Sequence, residues 1–340
     1  MSAPNRILHL ISRLDGYGGA RTLRLVAAKQ AALGHAVTIA ALAAERPIIG
    51  ELTQAGVEIH VTPRRWQFDL LALGSLARWR RRRSASLVHA WDVDALMHAW
   101  LTNRRERIVA AWDAHPQTPP WVSRLTGVRS TLIPPALAAR ELPGVDRQAA
   151  LNDLGLEERV RWIAIAGSLD RRKELDEAIW CYELVRVLHP TARLVIFGDG
   201  PDRHRLERYA SLVSEPGCVR FAGFRADLAE LLPHADAYWQ LDPAARTPHS
   251  LLEALAAGAP VVASDVPAHR VAITPEATGM LVPLRSRADV ARATDKLLSD
   301  ADFARRLGRA GAEATTQTWS IDKTLAACEA VYHSRPPAAP

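Results

Sequence analysis

Cysteine is scarce in this chain. The three present, Cys181, Cys218 and Cys328, are widely spaced and offer neither a disulfide framework nor a zinc pattern. A reducing cytosol is the expected setting. Long apolar runs are missing as well. The stretch 7–11 is too short for the apolar core of a secretory leader and reads as a first strand, and no uninterrupted run approaches the roughly 20 residues of a membrane-spanning helix. Short-period repeats and low-complexity segments are absent. So are finger spacings and repeats that mix basic with aromatic residues, which excludes a nucleic-acid partner from the expectations.

What is present suits two domains of ordinary size, since 340 residues are too many for one typical core and 48% of them are apolar. A formal charge of +6 directs attention to acidic partners such as nucleotide diphosphates or anionic lipid. The sharpest basic run is Arg78-Trp79-Arg80-Arg81-Arg82-Arg83. It reads either as a solvated helix end, where cations meet the negative end of the helix dipole, or as a peripheral patch for an anionic membrane, with about 1 kcal/mol from each cation.

Through the first half, strands are expected at 7–11, 37–42, 57–61, 87–90 and 108–112, with helices over 20–33, 47–55, 70–83 and 95–102 between them. That rhythm means a parallel sheet with helices on both faces, whose ligands bind beyond the carboxyl ends of the strands. Past the first strand lies Asp15-Gly16-Tyr17-Gly18-Gly19-Ala20-Arg21, where glycine permits close backbone approach to a ligand. A dinucleotide fingerprint would need a third glycine where Arg21 stands, so nicotinamide chemistry is disfavoured. Past the later strands lie Trp91-Asp92 and Trp112-Asp113-Ala114-His115. These tryptophans are either core or a lining on which sugar rings stack.

The second half restarts the pattern after a polar, helix-prone segment, 138–159, expected to be a linker. A strand at 160–166 runs into the basic loop Gly167-Ser168-Leu169-Asp170-Arg171-Arg172-Lys173 and then a helix to Leu188. Such a loop is a solvated charged turn or a set of fixed cations for a diphosphate leaving group. A strand at 193–197 meets the turn Gly198-Asp199-Gly200-Pro201, and another at 219–223 ends before Phe224. A strand at 279–283 and helices over 288–298, 302–315 and 321–333 complete the chain, with 335–340 expected to be disordered.

The other elements are arranged around residues 242–270. An apolar strand, 235–241, opens through a polar turn into a short helix, 250–257, stopped by Gly258-Ala259-Pro260 before another strand. A helix N-terminus above a sheet is an anion site. Glu253, one turn in, either accepts hydrogen bonds from a ligand's hydroxyls or closes a capping box with Ser250.

The run from Leu251 to Ser264, LLEALAAGAPVVAS, resembles the nucleotide-sugar signature of family 4 glycosyltransferases, retaining enzymes of the GT-B fold. The likeness is strong over 160–314 and looser before Pro135. It implies an α/β architecture of two doubly wound Rossmann-like domains facing each other across a cleft: an acceptor domain over 1–138, linker and nucleotide-sugar domain over 139–318, and a crossover helix with its tail over 319–340. The implied reaction moves a sugar from a nucleotide diphosphate donor to an acceptor, whether glycan, lipid or small molecule, without cofactor or metal. No Asp-x-Asp pair stands in a loop suited to clasping a cation.

By the same resemblance, Lys173 with Arg172, or with Arg171 in its place, stabilises the departing diphosphate, and Gly18, Gly19, Gly167, Ser168 and Gly200 lie along the donor. Phe224 is near the base, His249, Ser250 and Leu251 hold phosphate at the helix start, and Glu253 holds the ribose. Asp113 occupies the place of a family histidine, with His115 as its substitute. The first of two glutamates eight positions apart falls on Ala245, and Ser168 stands where arginine is usual. These departures leave a second class open, a non-catalytic relative that keeps fold and nucleotide affinity. A membrane surface met through Arg78–Arg83 would place the protein on the inner face of a membrane.

Overall fold

The computed structural model describes residues 6–63, 69–81, 85–102, 106–112, 118–137, 145–243 and 248–334. The chain divides into two compact units, Met1–Ala138 with Trp319–Pro340, and Ala139–Thr318. In the first, β1 (Arg6–Ile11), α1 (Gly19–Ala32), β2 (Ala36–Ala41), α2 (Arg46–Gln54), β3 (Glu58–Val61) and α3 (Leu70–Arg81) lead to β4 (Leu87–Ala90). After it come α4 (Val93–Thr102), β5 (Ile108–Trp112), α5 (Pro120–Thr126) and β6 (Ser130–Leu132). The strands are parallel, in the order β3-β2-β1-β4-β5-β6.

The second unit opens with α6 (Arg147–Asp153), β7 (Arg161–Ala166), α7 (Leu175–Leu188), β8 (Ala192–Phe197), α8 (Arg203–Val213), β9 (Val219–Gly223) and α9 (Leu228–Leu231). It continues through β10 (Ala237–Gln240), α10 (His249–Ala256), β11 (Val261–Ser264) and α11 (Pro267–Arg270) to β12 (Met280–Val282), α12 (Arg287–Ser299) and α13 (Ala301–Thr318). Its order, β12-β11-β10-β7-β8-β9, is that of the first sheet read from the opposite edge. The expected pair of doubly wound parallel sheets is therefore what the chain forms. Winding reverses between β1 and β4 in one sheet and between β7 and β10 in the other, and the crevice beyond such a reversal is where open sheets hold ligands.

The strands form because their side chains are apolar on both faces, as a sheet covered on both sides requires. In β8, residues Leu194 to Phe197 are at most 1% exposed. The last helix, α14 (Ile321–His333), starts at Ser320, whose side chain accepts the Lys323 N–H. It buries Leu325, Cys328, Val331 and Tyr332 in the core of the first sheet.

Several expectations need correction. Within the segment expected as a linker, Asp146 caps α6 by accepting from Ala149 N, and Ala150, Leu151 and Leu154 join the core of the second sheet. The sequence reading also passed over α5, β6 and α8. Trp91 and Trp112 are 3% and 2% exposed and belong to the core, so they are no lining for sugar rings. The basic run is not a continuous surface. Arg80 is 1% exposed, donates to the Ala99 carbonyl at 2.8 Å, and is bonded to Thr102 Oγ1 and Glu106. Helical geometry turns it inward between the exposed Arg78 and Arg81, while Arg82 and Arg83 lie outside the described residues. Among the described residues no helix is long and apolar enough to cross a membrane.

Candidate functional site

At the winding reversal of the second sheet, β7 ends in a glycine that only glycine tolerates: Gly167 has φ 153, in a region closed to side chains. Beyond it the loop is organised by Asp170. Its carboxylate accepts from Arg172 N at 3.0 Å, from the Arg172 guanidinium at 3.1 Å through both Nε and Nη2, and from Ser168 Oγ at 2.9 Å. Burial pushes the Asp170 pKa up, but the bonds from Arg172 and Ser168 outweigh it and hold the carboxyl below its ordinary value. Arg172, expected at the diphosphate, is thus folded back on its own turn with its side chain 84% exposed.

Leu169, fully buried, pins this loop to the turn after β8, since its N–H donates to Asp199 O and its carbonyl accepts from Asp202 N, both at 3.0 Å. The two turns approach so closely that a Cβ at Gly198 would stand 1.9 Å from Gly167 O, and one at Gly200 would stand 2.4 Å from Leu169 O. Backbone packing therefore already explains Gly200, which was expected along the donor.

Lys173 ends the loop. Its Nζ donates to Asp242 Oδ2 at 2.7 Å, and its side chain is 23% exposed. Asp242 stands two residues past β10 and is 4% exposed; Gln240 Nε2 donates to its Oδ1. Gln240 Oε1 in turn accepts from Ser250 Oγ and Tyr238 OH, each at 3.1 Å. Around this pair lies a shallow, open cleft. Gly167, Ser168, Lys173 and Asp242 give it polar groups, and Leu175, Phe197 and Trp239 give it apolar wall.

His269 lies next to the network without bonding to it. It is fully buried, with Nδ1 at 2.8 Å from Ser264 O and Nε2 at 3.9 Å from Asp242 Oδ1. Burial lowers its pKa most, Lys173 lowers it further, and the Ser264 carbonyl and Asp242 act in the opposite direction; the net shift is downward.

α10 begins at His249 behind Pro248, with no side-chain cap. The capping box, one of the two readings of Glu253, is absent because Ser250 sits inside the first turn and gives its hydroxyl to Gln240. His249 and Ser250 are buried at 7% and 8% exposure, while Glu253 is half-buried one turn in. Leu251 is a correction: its side chain is fully buried in the core and its N–H donates to Pro248 O.

Phe224 stands 52% exposed beyond β9 and does not line the pocket. Gly18 and Gly19 belong to the first unit, past the carboxyl end of β1, where Gly18 precedes the first turn of α1. Asp113, His115 and Ala245 lie outside the described residues. The structure thus brings Gly167, Ser168 and Lys173 together and adds Asp242, Gln240 and His269, which sequence reasoning missed. A signal was there: two polar residues, Gln240 and Asp242, at the end of an otherwise apolar strand mark the place where it leaves the core. Among the described residues no group of three or more His, Cys, Asp or Glu could hold a metal ion.

Residues 146–314 match the family model described as "Glycosyl transferases group 1". The chain is 25% identical over 193 residues to "Putative glycosyltransferase EpsD" of Bacillus subtilis (strain 168), covering 57% of this chain and 50% of that protein. It is 32% identical over 205 residues to "D-inositol 3-phosphate glycosyltransferase" of Stackebrandtia nassauensis, covering 56% of this chain and 46% of that one. The matched segment thus spans about half the length of these curated relatives. In fold, the chain is similar to HepE of Anabaena, solved in complex with UDP-glucose, with a TM-score of 0.81 at 15% identity over 96% of this chain and 99% of that one.

Proposed function

Because the chain belongs, through residues 146–314, to the group 1 glycosyl transferases, we propose that its second unit takes a nucleotide diphosphate sugar between β7 and β10 and that the protein transfers the sugar, with retention, to an acceptor. Lys173 carries this reading: it is a partly exposed cation at the winding reversal, held at 2.7 Å by a buried carboxylate above a pocket with Gly167 and Ser168 in its lining. As the bond between sugar and diphosphate breaks, negative charge grows on the departing diphosphate, and a cation fixed there lowers the barrier because it binds the transition state better than the ground state. Arg172 adds to it once released from Asp170. Glu253 accepts hydrogen bonds from the ribose hydroxyls, and the first turn of α10 sets its positive end toward phosphate.

A thermal-shift screen against UDP, GDP and ADP and their sugar conjugates tests the reading, since a ligand at 100 times its Kd stabilises by about 2.7 kcal/mol. No shift with any of them would remove the donor site. Shifts without donor hydrolysis or transfer across a broad acceptor panel would make the protein a nucleotide-binding relative that has lost catalysis.

A further inference from the structure

His269 has no role in the donor site as proposed, yet its geometry is unusual. Its Nδ1 faces the Ser264 carbonyl at 2.8 Å, and a carbonyl only accepts, so the hydrogen of the neutral ring resides on Nδ1. That leaves a bare lone pair on Nε2, which is fully buried, makes no hydrogen bond and lies 3.9 Å from Asp242 Oδ1. A lone pair facing a carboxylate in the interior is unfavourable, and one proton on Nε2 would turn it into a donor toward Asp242. Lys173 keeps that proton away, because its ammonium already neutralises Asp242 at Oδ2.

Resting on the donor reading above, we infer that His269 is the reserve counter-ion of Asp242: when Lys173 turns to the diphosphate of a bound donor, His269 takes a proton from solvent and holds the carboxylate. The charges balance. In the free protein one ammonium neutralises one carboxylate. In the complex the ammonium faces phosphate, and an imidazolium replaces it at a carboxylate that is 4% exposed and would otherwise keep, among the described residues, only Gln240.

Among the described residues the charged groups that act on His269 are Asp242 from the end of β10 and Lys173 from the loop after β7. Arg270, its neighbour on α11, is paired with Asp265. Donor binding withdraws Lys173, the cation among the described residues that lowers the His269 pKa, so that pKa rises in the complex. A group whose pKa rises on binding takes up a proton, so affinity is greatest at low pH and declines as pH climbs through the window between the free and bound values. For a single proton the decline is at most about tenfold per pH unit.

Titration calorimetry of UDP-glucose, GDP-glucose and ADP-glucose in buffers of different ionisation enthalpy, near pH 7, reads the proton directly. These diphosphates are esterified at both ends and have no proton of their own that titrates there. The wild type should take up as much as one proton per donor bound. His269→Asn keeps a donor for the Ser264 carbonyl but loses Nε2, and should bind without uptake and with a flat pH profile. Asp242→Asn, with no carboxylate to neutralise, should also show no uptake. A histidine Cε1–H NMR titration of the wild type, with and without donor, follows the same proton without any substitution and should show one resonance whose pKa rises. Donor binding with no proton uptake in the wild type, or uptake that persists in His269→Asn, would overturn the relay and leave the donor site standing. Failure of all three sugars to bind would instead remove the donor reading on which it rests.

Discussion

Each sheet places an aspartate two residues past the end of its fourth strand, Asp92 after β4 and Asp242 after β10, and the two are held in different ways. Asp92 Oδ2 accepts from Ser12 N and Ser12 Oγ, both at 2.8 Å, and its Oδ1 accepts from Ala95 N at 2.7 Å. All three donors are neutral and lie on or next to the backbone, so the carboxylate ties the loop after β1 to the start of α4 and nothing competes for it. Asp242 is held instead by an ammonium on a long side chain, by an amide, and from a distance by an imidazole. A cation on a flexible stem can be drawn off by an anion, which neutral backbone donors cannot. The same topological position is thus a clasp in one unit and a poised charge in the other.

Buried histidines repeat the contrast. In the first unit Trp91 Nε1–H donates to His9 Nδ1 at 2.9 Å, His9 Nε2 faces Gln30 Oε1 at 2.8 Å, and Gln30 Nε2 donates to Tyr332 OH at 3.2 Å. Tyr332 OH faces His89 Nδ1 at 2.9 Å, and His89 Nε2 faces the Ala111 carbonyl at 2.8 Å. Indole only donates and a carbonyl only accepts, so every hydrogen in the chain has one consistent place and both imidazoles are neutral. His269 has one satisfied nitrogen and one orphan. A complete polar chain is structural, and an incomplete one beside a pocket is where a ligand changes something.

The largest expected effect is on the closed network. Burial lowers the His9 pKa to about 4, and His89 is lowered too. An unfolded chain therefore binds protons that the folded one refuses. The stability is fully present above about pH 6.5 and is lost as pH falls toward 4, with His9 alone accounting for about 3 kcal/mol. Urea unfolding between pH 7 and pH 5, above the range where most carboxylates titrate, should already show the decline, and a flat profile would contradict the neutral chain.

Next come the two aspartates. Asp92→Ala removes a helix cap and two bonds to Ser12, and should cost about 1–2 kcal/mol of unfolding free energy with donor affinity unchanged. Asp242→Asn frees Lys173 from its competitor, so donor affinity should rise several-fold. A fall in affinity would make Asp242 a plain structural support like Asp92. Glu253→Gln should have the smallest effect: donor binding weakens by about 1 kcal/mol, while the melting of the free protein stays put, because no capping box depends on the carboxylate. Lower thermal stability with intact binding would return Glu253 to a structural role.

Much of this was legible in the sequence because long buried strands announce themselves. The parallel sheets follow from apolar runs such as Arg193 to Phe197 alternating with helical periods. Shorter or more polar elements did not show. β6 is three residues with Thr131 and Leu132 exposed, and nothing local in the helix-prone segment before Arg159 says that Leu151 and Leu154 enter a core. Arg80 was hidden by its neighbours, because a run of like charges conceals which member the helical period turns inward. The site was half legible. Lys173 and its loop could be read locally, but its partner Asp242 lies 69 residues away, and only the neighbouring positions of β7 and β10 bring them together. The capping-box alternative for Ser250 and Glu253 fails for the opposite reason: a local motif is overridden because Gln240, from the preceding strand, takes the hydroxyl.

The central claim, that Lys173 is the cation for a donor's diphosphate, is tested most directly by titrating UDP and uridine into the wild type and Lys173→Ala. If an ammonium faces phosphate, UDP affinity should fall about tenfold to a hundredfold, as expected for loss of a charge-assisted hydrogen bond of about 1.5–3 kcal/mol, while uridine binds both proteins alike. Equal loss for the two ligands, or no loss for UDP, would contradict it.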